Sequence, residues 1–193
     1  MTSKPADRKS ESRYRGWSRL WRCSAVSIAC ACLSLSNAAT GQDLVAQVKA
    51  AFVFNFARFI EWPDVAFATE ESPFWLCTYG GDTTALGIDQ VKDRLVNDRQ
   101  IHARQVKTVS DARNCHILFI DDKYASHEMA AMADLANEAI LTISDAPWFV
   151  REGGMISLYT RGRHVRFSIN QTSARGAGLL ISGRLLQLAE EVR

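Results

Sequence analysis

At 193 residues, 47% of them hydrophobic and 23% charged, the chain suits one domain with a packed core and is too apolar for disorder. The formal net charge of +2 is unevenly spread: residues 1–38 hold seven bases against two acids, leaving 16 bases and 19 acids, near −3, for the rest. Beyond residue 38 that excludes the basic footprint of a nucleic-acid binder.

The N-terminal region reads as a targeting segment. Bases up to Arg22 precede Cys23–Leu35, thirteen uncharged and mostly apolar residues, and then Ser36-Asn37-Ala38-Ala39, with small residues at −3 and −1 of a cut after Ala38. Thirteen helical residues span about 20 Å, short of a ~30 Å hydrocarbon core. The pattern predicts export, with a cleaved signal over 1–38 and a mature domain over 39–193. An uncleaved membrane anchor is the alternative. A lipoprotein cut before Cys30 or Cys32 is disfavoured because neither has a Leu three residues ahead. Export leaves Cys77 and Cys115 as an even pair in an oxidising compartment. They either bridge, closing a loop of about 38 residues worth roughly 4 kcal/mol, or stay as two buried thiols; the bridge is favoured.

In the mature chain, Val48–Pro63 concentrates Phe52, Phe54, Phe56, Phe59 and Trp62. Apolar content from Leu44 to Trp62 is too long for a strand and predicts a helix ended before Pro63. Val48, Phe52, Phe56 and Phe59 share its core face; Phe54 lies off it. Phe74–Tyr79 reads as a buried strand and Thr84–Lys92 as a short helix. Gln100–Val109 is expected as an edge strand, and Asp111–Asn114 as a turn or short helix. Cys115–Ile120 is the best central strand. Ser126 is expected to cap a helix bearing Met129, Met132, Ala133, Leu135 and Ala136, and Ala139–Ile143 is a further strand. Met155–Tyr159 and His164–Ile169 flank Gly162 as a hairpin with one buried and one wet face. Asn170 or Thr172 then caps a last helix with the stripe Gly178, Ile181, Leu185, Leu188 and Val192; Gly176, Gly178 and Gly183 are expected to serve close packing. The fold class is a single α/β domain: a mostly parallel mixed sheet with a C-terminal β-hairpin and helices packed on both faces.

Catalytic and metal motifs are absent from the sequence. His102, His116, His127 and His164 form no i, i+4 pair, no His-Glu-x-x-His motif and no Cys-x-x-Cys companion. There is no Gly-x-Ser-x-Gly elbow, and Gly80-Gly81-Asp82 lacks the remainder of a phosphate loop. No metal or other cofactor is expected. One constellation stands out: Thr78–Asp82, Asp121-Asp122 and Ser144-Asp145 all follow apolar runs, so a parallel sheet gathers them at its carboxyl edge, where open α/β sheets bind ligands. As simple helix caps and turns they need no ligand.

Four stretches together resemble the YfiR/HmsC family of small exported bacterial proteins: Val48–Pro63 (Lys-Ala-Ala-Phe-x-x-Asn-Phe-x-x-Phe-x-x-Trp-Pro), Leu141–Asp145 (Leu-Thr-Ile-Ser-Asp), Gly153–Asn170 (Gly-Gly-Met-Ile…Val-Arg-Phe-Ser-Ile-Asn) and Ala174–Ala189. The resemblance spans about Gln42–Arg193. It implies a periplasmic, non-catalytic α/β domain that restrains an inner-membrane diguanylate cyclase, with redox stress or an outer-membrane lipoprotein relieving the restraint. Cyclic-di-GMP, exopolysaccharide and biofilm would follow its state. It also implies that Cys77 and Cys115 form the family's stabilising disulfide. Some relatives carry a second cysteine pair in the Asp145–Gly154 region; this chain has none there, which removes any regulation by a second bridge.

Two readings of function follow. The first is a regulatory binding protein, with Tyr159, His164, Arg166 and Ser168 of the hairpin as the contact surface and Phe54 and Trp62 as candidates for a self (homodimer) or partner contact. The second is a small-ligand sensing domain using Asp121, Asp122, Ser144 and Asp145. An enzyme is the third choice, for want of a nucleophile–base pair.

Overall fold

Spacing of small and aromatic side chains decides how the aromatic stretch folds. Ala50, Val53, Phe54 and Ala57 recur at three- and four-residue intervals and are buried on α1, Gly41–Phe59, in the computed structural model, which describes residues 41–80 and 87–193, all within the unit Ala39–Arg193. Residues 1–38, with the expected signal, lie outside the described residues. Pro63 accounts for a helix end at Trp62, but α1 stops at Phe59. Ile60–Glu61 (β1) is already extended, pairing antiparallel with Leu180–Ile181 (β9), and Ser182 donates its N–H to the Phe59 carbonyl. Phe52 and Phe56 meet Phe167 with centroids 5.7 and 5.2 Å apart. Two residues depart from expectation: Val48 is 36% exposed, whereas Phe54 is only 7% exposed. The guanidinium of Arg94 lies 3.9 Å from the Phe54 ring centroid and covers the face that helical periodicity left open.

The remaining strands are β2 (Phe74–Tyr79), β3 (Leu95–Val96), β4 (Arg99–Gln105), β5 (Ile117–Ile120), β6 (Leu141–Ser144), β7 (Ile156–Arg161), β8 (His164–Ile169) and β10 (Glu191–Val192); the helices after α1 are α2 (Asp122–Ala133), α3 (Gln171–Gly176) and α4 (Gly183–Leu188). The main sheet has the order β10-β8-β7-β6-β5-β2-β4-β3. Its block β4-β2-β5-β6-β7 is parallel, and the β7–β8 and β3–β4 pairs are antiparallel. The chain thus enters at β2 inside the sheet and winds outward both ways, a doubly wound α/β arrangement. One apolar cluster joins the sheet to α1, α3 and α4, and a second, containing Ala125, Met132, Val109 and Phe149, joins its other face to α2. Helices therefore pack on both faces, as expected of the class.

Several expected elements shift. The strand expected at an edge is flanked by β3, joined through Asn97 and Asp98, both at positive φ, a two-residue turn that these short polar side chains tolerate. Within Thr84–Lys92, Ile88–Gln90 is one 3-10 turn, and residues 81–86 lie outside the described residues. Asp121, not Ser126, caps α2: it follows β5 directly and accepts the Lys123 N–H at 3.0 Å, which leaves Ser126 inside the helix. Asn170 does cap α3, accepting the Ser173 N–H at 2.9 Å. The single last helix is instead α3, β9, α4 and β10. Gly178 at φ +75° breaks it, β1 captures Leu180 and Ile181, and Ser182 caps α4. Leu185 is buried, but Leu188 and Val192 of the expected stripe are exposed. A Cβ at Gly176 or Gly183 would meet nothing within 4 Å, so neither serves close packing.

Candidate functional site

The carboxyl edge brings together part of the expected constellation. Asp145 is held from two sides: Lys49 of α1 donates to its Oδ2 at 2.8 Å, and the Asp122 N–H donates to its Oδ1 at 2.9 Å. Desolvation, then the neighbouring Asp145 and Asp121 charges, raises the Asp122 carboxyl above its ordinary value. Ser144 departs from this group. It is fully buried, and its hydroxyl accepts the Ala146 N–H, closing the loop after β6. Tyr79 donates to Glu128 at 2.6 Å; that bond and burial raise its phenol pKa. Among the described residues no group of three or more His, Cys, Asp or Glu could hold a metal ion.

The hairpin forms the other candidate surface. In its register Tyr159 faces Arg166 and Arg161 faces His164, so these four share one face. Arg161 pairs with Glu190, and the Tyr159 hydroxyl donates to Glu190 Oε2 at 3.1 Å. β6 pairs with β7 only at Ile156 and Ser157, so Leu158–Arg161 runs past the end of β6 and the tip stands clear of it. His164 and Arg166 are exposed, but Ser168 is buried: β10 lies alongside it and the Tyr159 hydroxyl sits 3.3 Å from its Oγ. The wet face expected along the whole hairpin is confined to its outer half. Phe54 lies under Arg94 at the β3 side of the sheet. Trp62 is half-buried, standing edge-on to Phe74 at 5.0 Å and donating Nε1–H to the His116 carbonyl at 3.3 Å. Neither aromatic joins the hairpin face.

Three further features tie together distant parts of the chain. His116 stacks between Phe67 and Phe74, at 4.4 and 4.8 Å, and has both ring nitrogens engaged. The Trp75 N–H donates to Nδ1 at 2.9 Å, so the proton sits on Nε2 and is donated to the Ala66 carbonyl at 3.1 Å. Burial pushes its pKa down to about 4. It floors a pocket of about 730 Å³ at the amino edge of the sheet, rimmed by the Arg113–Glu138 ion pair. Cys77 and Cys115 are bridged, and Arg104 lies over them, Nε 3.4 Å from the Cys77 Sγ. Lys49 reaches Asp145 across 96 residues. The bridge is the one expected from the cysteine count and from the family resemblance; nothing in the sequence pointed to the other two.

Fold and site together define a doubly wound α/β domain whose Asp145 and Ser144, at the expected crevice, are engaged within the chain. The sequence profile of the YfiR/HmsC-like family matches residues 46–190, and the chain belongs to that family, one of periplasmic regulators rather than enzymes. Comparison with curated proteins finds no match. Among solved structures, one described as the ABC domain in complex with L-Trp from Streptococcus pneumonia is 11% identical, with a TM-score of 0.48, over 77% of this chain and 60% of that one. The chain thus spans about three fifths of that structure's length, and the likeness carries no argument. Among the described residues no helix is long and apolar enough to cross a membrane.

Proposed function

We propose that this protein is a non-catalytic periplasmic repressor of an inner-membrane diguanylate cyclase, and so controls cyclic-di-GMP, exopolysaccharide and biofilm formation. The family match over residues 46–190 carries the reading. An outer-membrane lipoprotein is the partner that would relieve the repression, and a homodimer is the self-assembly it admits. The contact surface is the outer half of the hairpin. Charge supports the choice: residues 151–193 hold seven arginines against three glutamates, whereas residues 39–150 hold nine bases against sixteen acids. Arg163, His164 and Arg166 are exposed at the tip and suit an acidic partner segment.

The test is a deletion strain. Cyclic-di-GMP rises on deletion and falls again when the native chain is restored. An Arg163→Glu/Arg166→Glu variant, folded and exported at native levels, does not restore it and no longer captures a membrane cyclase. Unchanged cyclic-di-GMP on deletion sinks the regulatory reading; a fully active double variant sinks only the hairpin. The carboxyl-edge crevice finds less support as a sensing site, because Asp145 and Ser144 are engaged within the chain.

A further inference from the structure

The chain has four methionines, and the three beyond Met1 all line one pocket. Met129 and Met132 lie three residues apart on α2 and so share a helix face. Met155 immediately precedes β7, and its N–H is fixed by the Thr142 hydroxyl at 3.2 Å. The pocket has a volume of about 360 Å³ and lies between the end of α2 and α3, with Ser173, Thr142 and Glu152 in its wall.

Methionine used as filler closes gaps, and packed interiors leave few voids larger than one water. Here the three side chains line, with nine other residues, a partly open pocket with room for roughly ten waters at ~30 Å³ each. Met132 and Met155 are 7% and 4% exposed; Met132 packs in the second apolar cluster and Met155 in the first, and both reach the pocket where the two clusters meet its wall. Each has three rotatable bonds and can turn its sulfur inward without moving backbone. Neither imidazole nor thiol lines the pocket, and Thr142 is already committed to Met155. A donor set dominated by neutral thioethers rejects hard cations and favours soft monovalent ones. Glu152 is the single ionisable group in the wall, a charge suited to a monovalent cation.

We propose that Met129, Met132 and Met155 form a binding site for a soft monovalent cation, Cu(I) or Ag(I), held through thioether sulfur. The site is independent of the regulatory reading and of the hairpin.

The test uses the full chain carrying Cys23→Ser, Cys30→Ser and Cys32→Ser, with the Cys77–Cys115 bridge intact, so that no free thiol competes. Silver(I), which is redox-inert here, is titrated while the ¹³C-labelled methionine methyl resonances are followed. Three resonances move together, saturating at one equivalent, while that of Met1 stays. Met129→Leu/Met132→Leu nearly conserves volume, leaves thermal unfolding close to native, and weakens silver binding at least ~100-fold, beyond what loss of an outer-shell partner does. Cu(I) competes for the same equivalent under anaerobic reduction mild enough to spare the bridge. Unmoved methionine methyls, or silver affinity unchanged in the double variant, would overturn the proposal. If the double variant fails to fold, the methyl shifts of the parent chain decide alone.

Discussion

His116 shows how far one side chain departs from its sequence label. In sequence it is a lone histidine at the start of an apolar run; in the fold it is a neutral, fully bonded core group linking β5, β2 and the segment after Pro63. Burial holds its pKa at about 4 against an ordinary 6.5. Between those values the unfolded chain binds a proton that the folded chain refuses. Its contribution is therefore fully present above pH 6.5 and lost as pH falls toward 4, about 3 kcal/mol in all at ~1.4 kcal/mol per pH unit. Urea unfolding at pH 7.5, 6 and 5 should show this slope, and His116→Gln should flatten it. An equal slope in the variant would assign the acid sensitivity elsewhere. Phe54 is the opposite case, an aromatic that periodicity left outside and Arg94 brought in. Neither outcome is encoded within four residues of the side chain concerned.

At the scale of elements, the types of the central strands, the hairpin and α1 were legible, and the ends and the C-terminal region were not. The continuous apolar runs at Phe74–Tyr79 and Ile117–Ile120 are central strands because burial on both faces leaves no place for alternation. The helix expected at the C-terminus failed because an apolar stripe at helical spacing does not exclude a strand pair. Two residues captured by β1, with Gly178 at φ +75°, outweigh the propensity of the rest. The β2–α2 junction gives a prediction of its own. Gly80 has φ +79°, and a Cβ there would lie 2.1 Å from the Tyr124 ring. Gly80→Ala should cost about 2–3 kcal/mol, combining the φ penalty with the clash. Adding Tyr124→Ala should return the clash component and leave ~1 kcal/mol. Full additivity of the two changes in a denaturation cycle would mean the ring does not press on this turn.

For the whole molecule the Cys77–Cys115 bridge ties β2 to the start of β5 across a separation of 38 residues. Closing such a loop restricts the unfolded chain by roughly 4 kcal/mol. Reduction, or Cys77→Ser/Cys115→Ser, should lower the melting temperature by roughly 10 °C while leaving the far-UV spectrum of the folded state unchanged. A drop under about 3 °C would show that the reduced chain retains the contact by packing alone. The expected crevice was half legible: strand–helix alternation placed Asp121, Asp122 and Asp145 on one edge, but only the fold shows Lys49 neutralising Asp145 there and Ser144 turned inward.

The sequence by itself determined what its local pattern encodes: one α/β domain, its central strands, its hairpin, an even cysteine pair and a lack of catalytic motifs. These depend on residue type and on periods of two and 3.6, which the chain carries without knowledge of its partners. Only the tertiary structure decided where α1 ends, which aromatics are covered, how the last forty residues are divided and that three methionines share one pocket. Each of those rests on contacts between residues tens of positions apart, and their energies outweigh the fraction of a kilocalorie by which propensity separates one local conformation from another.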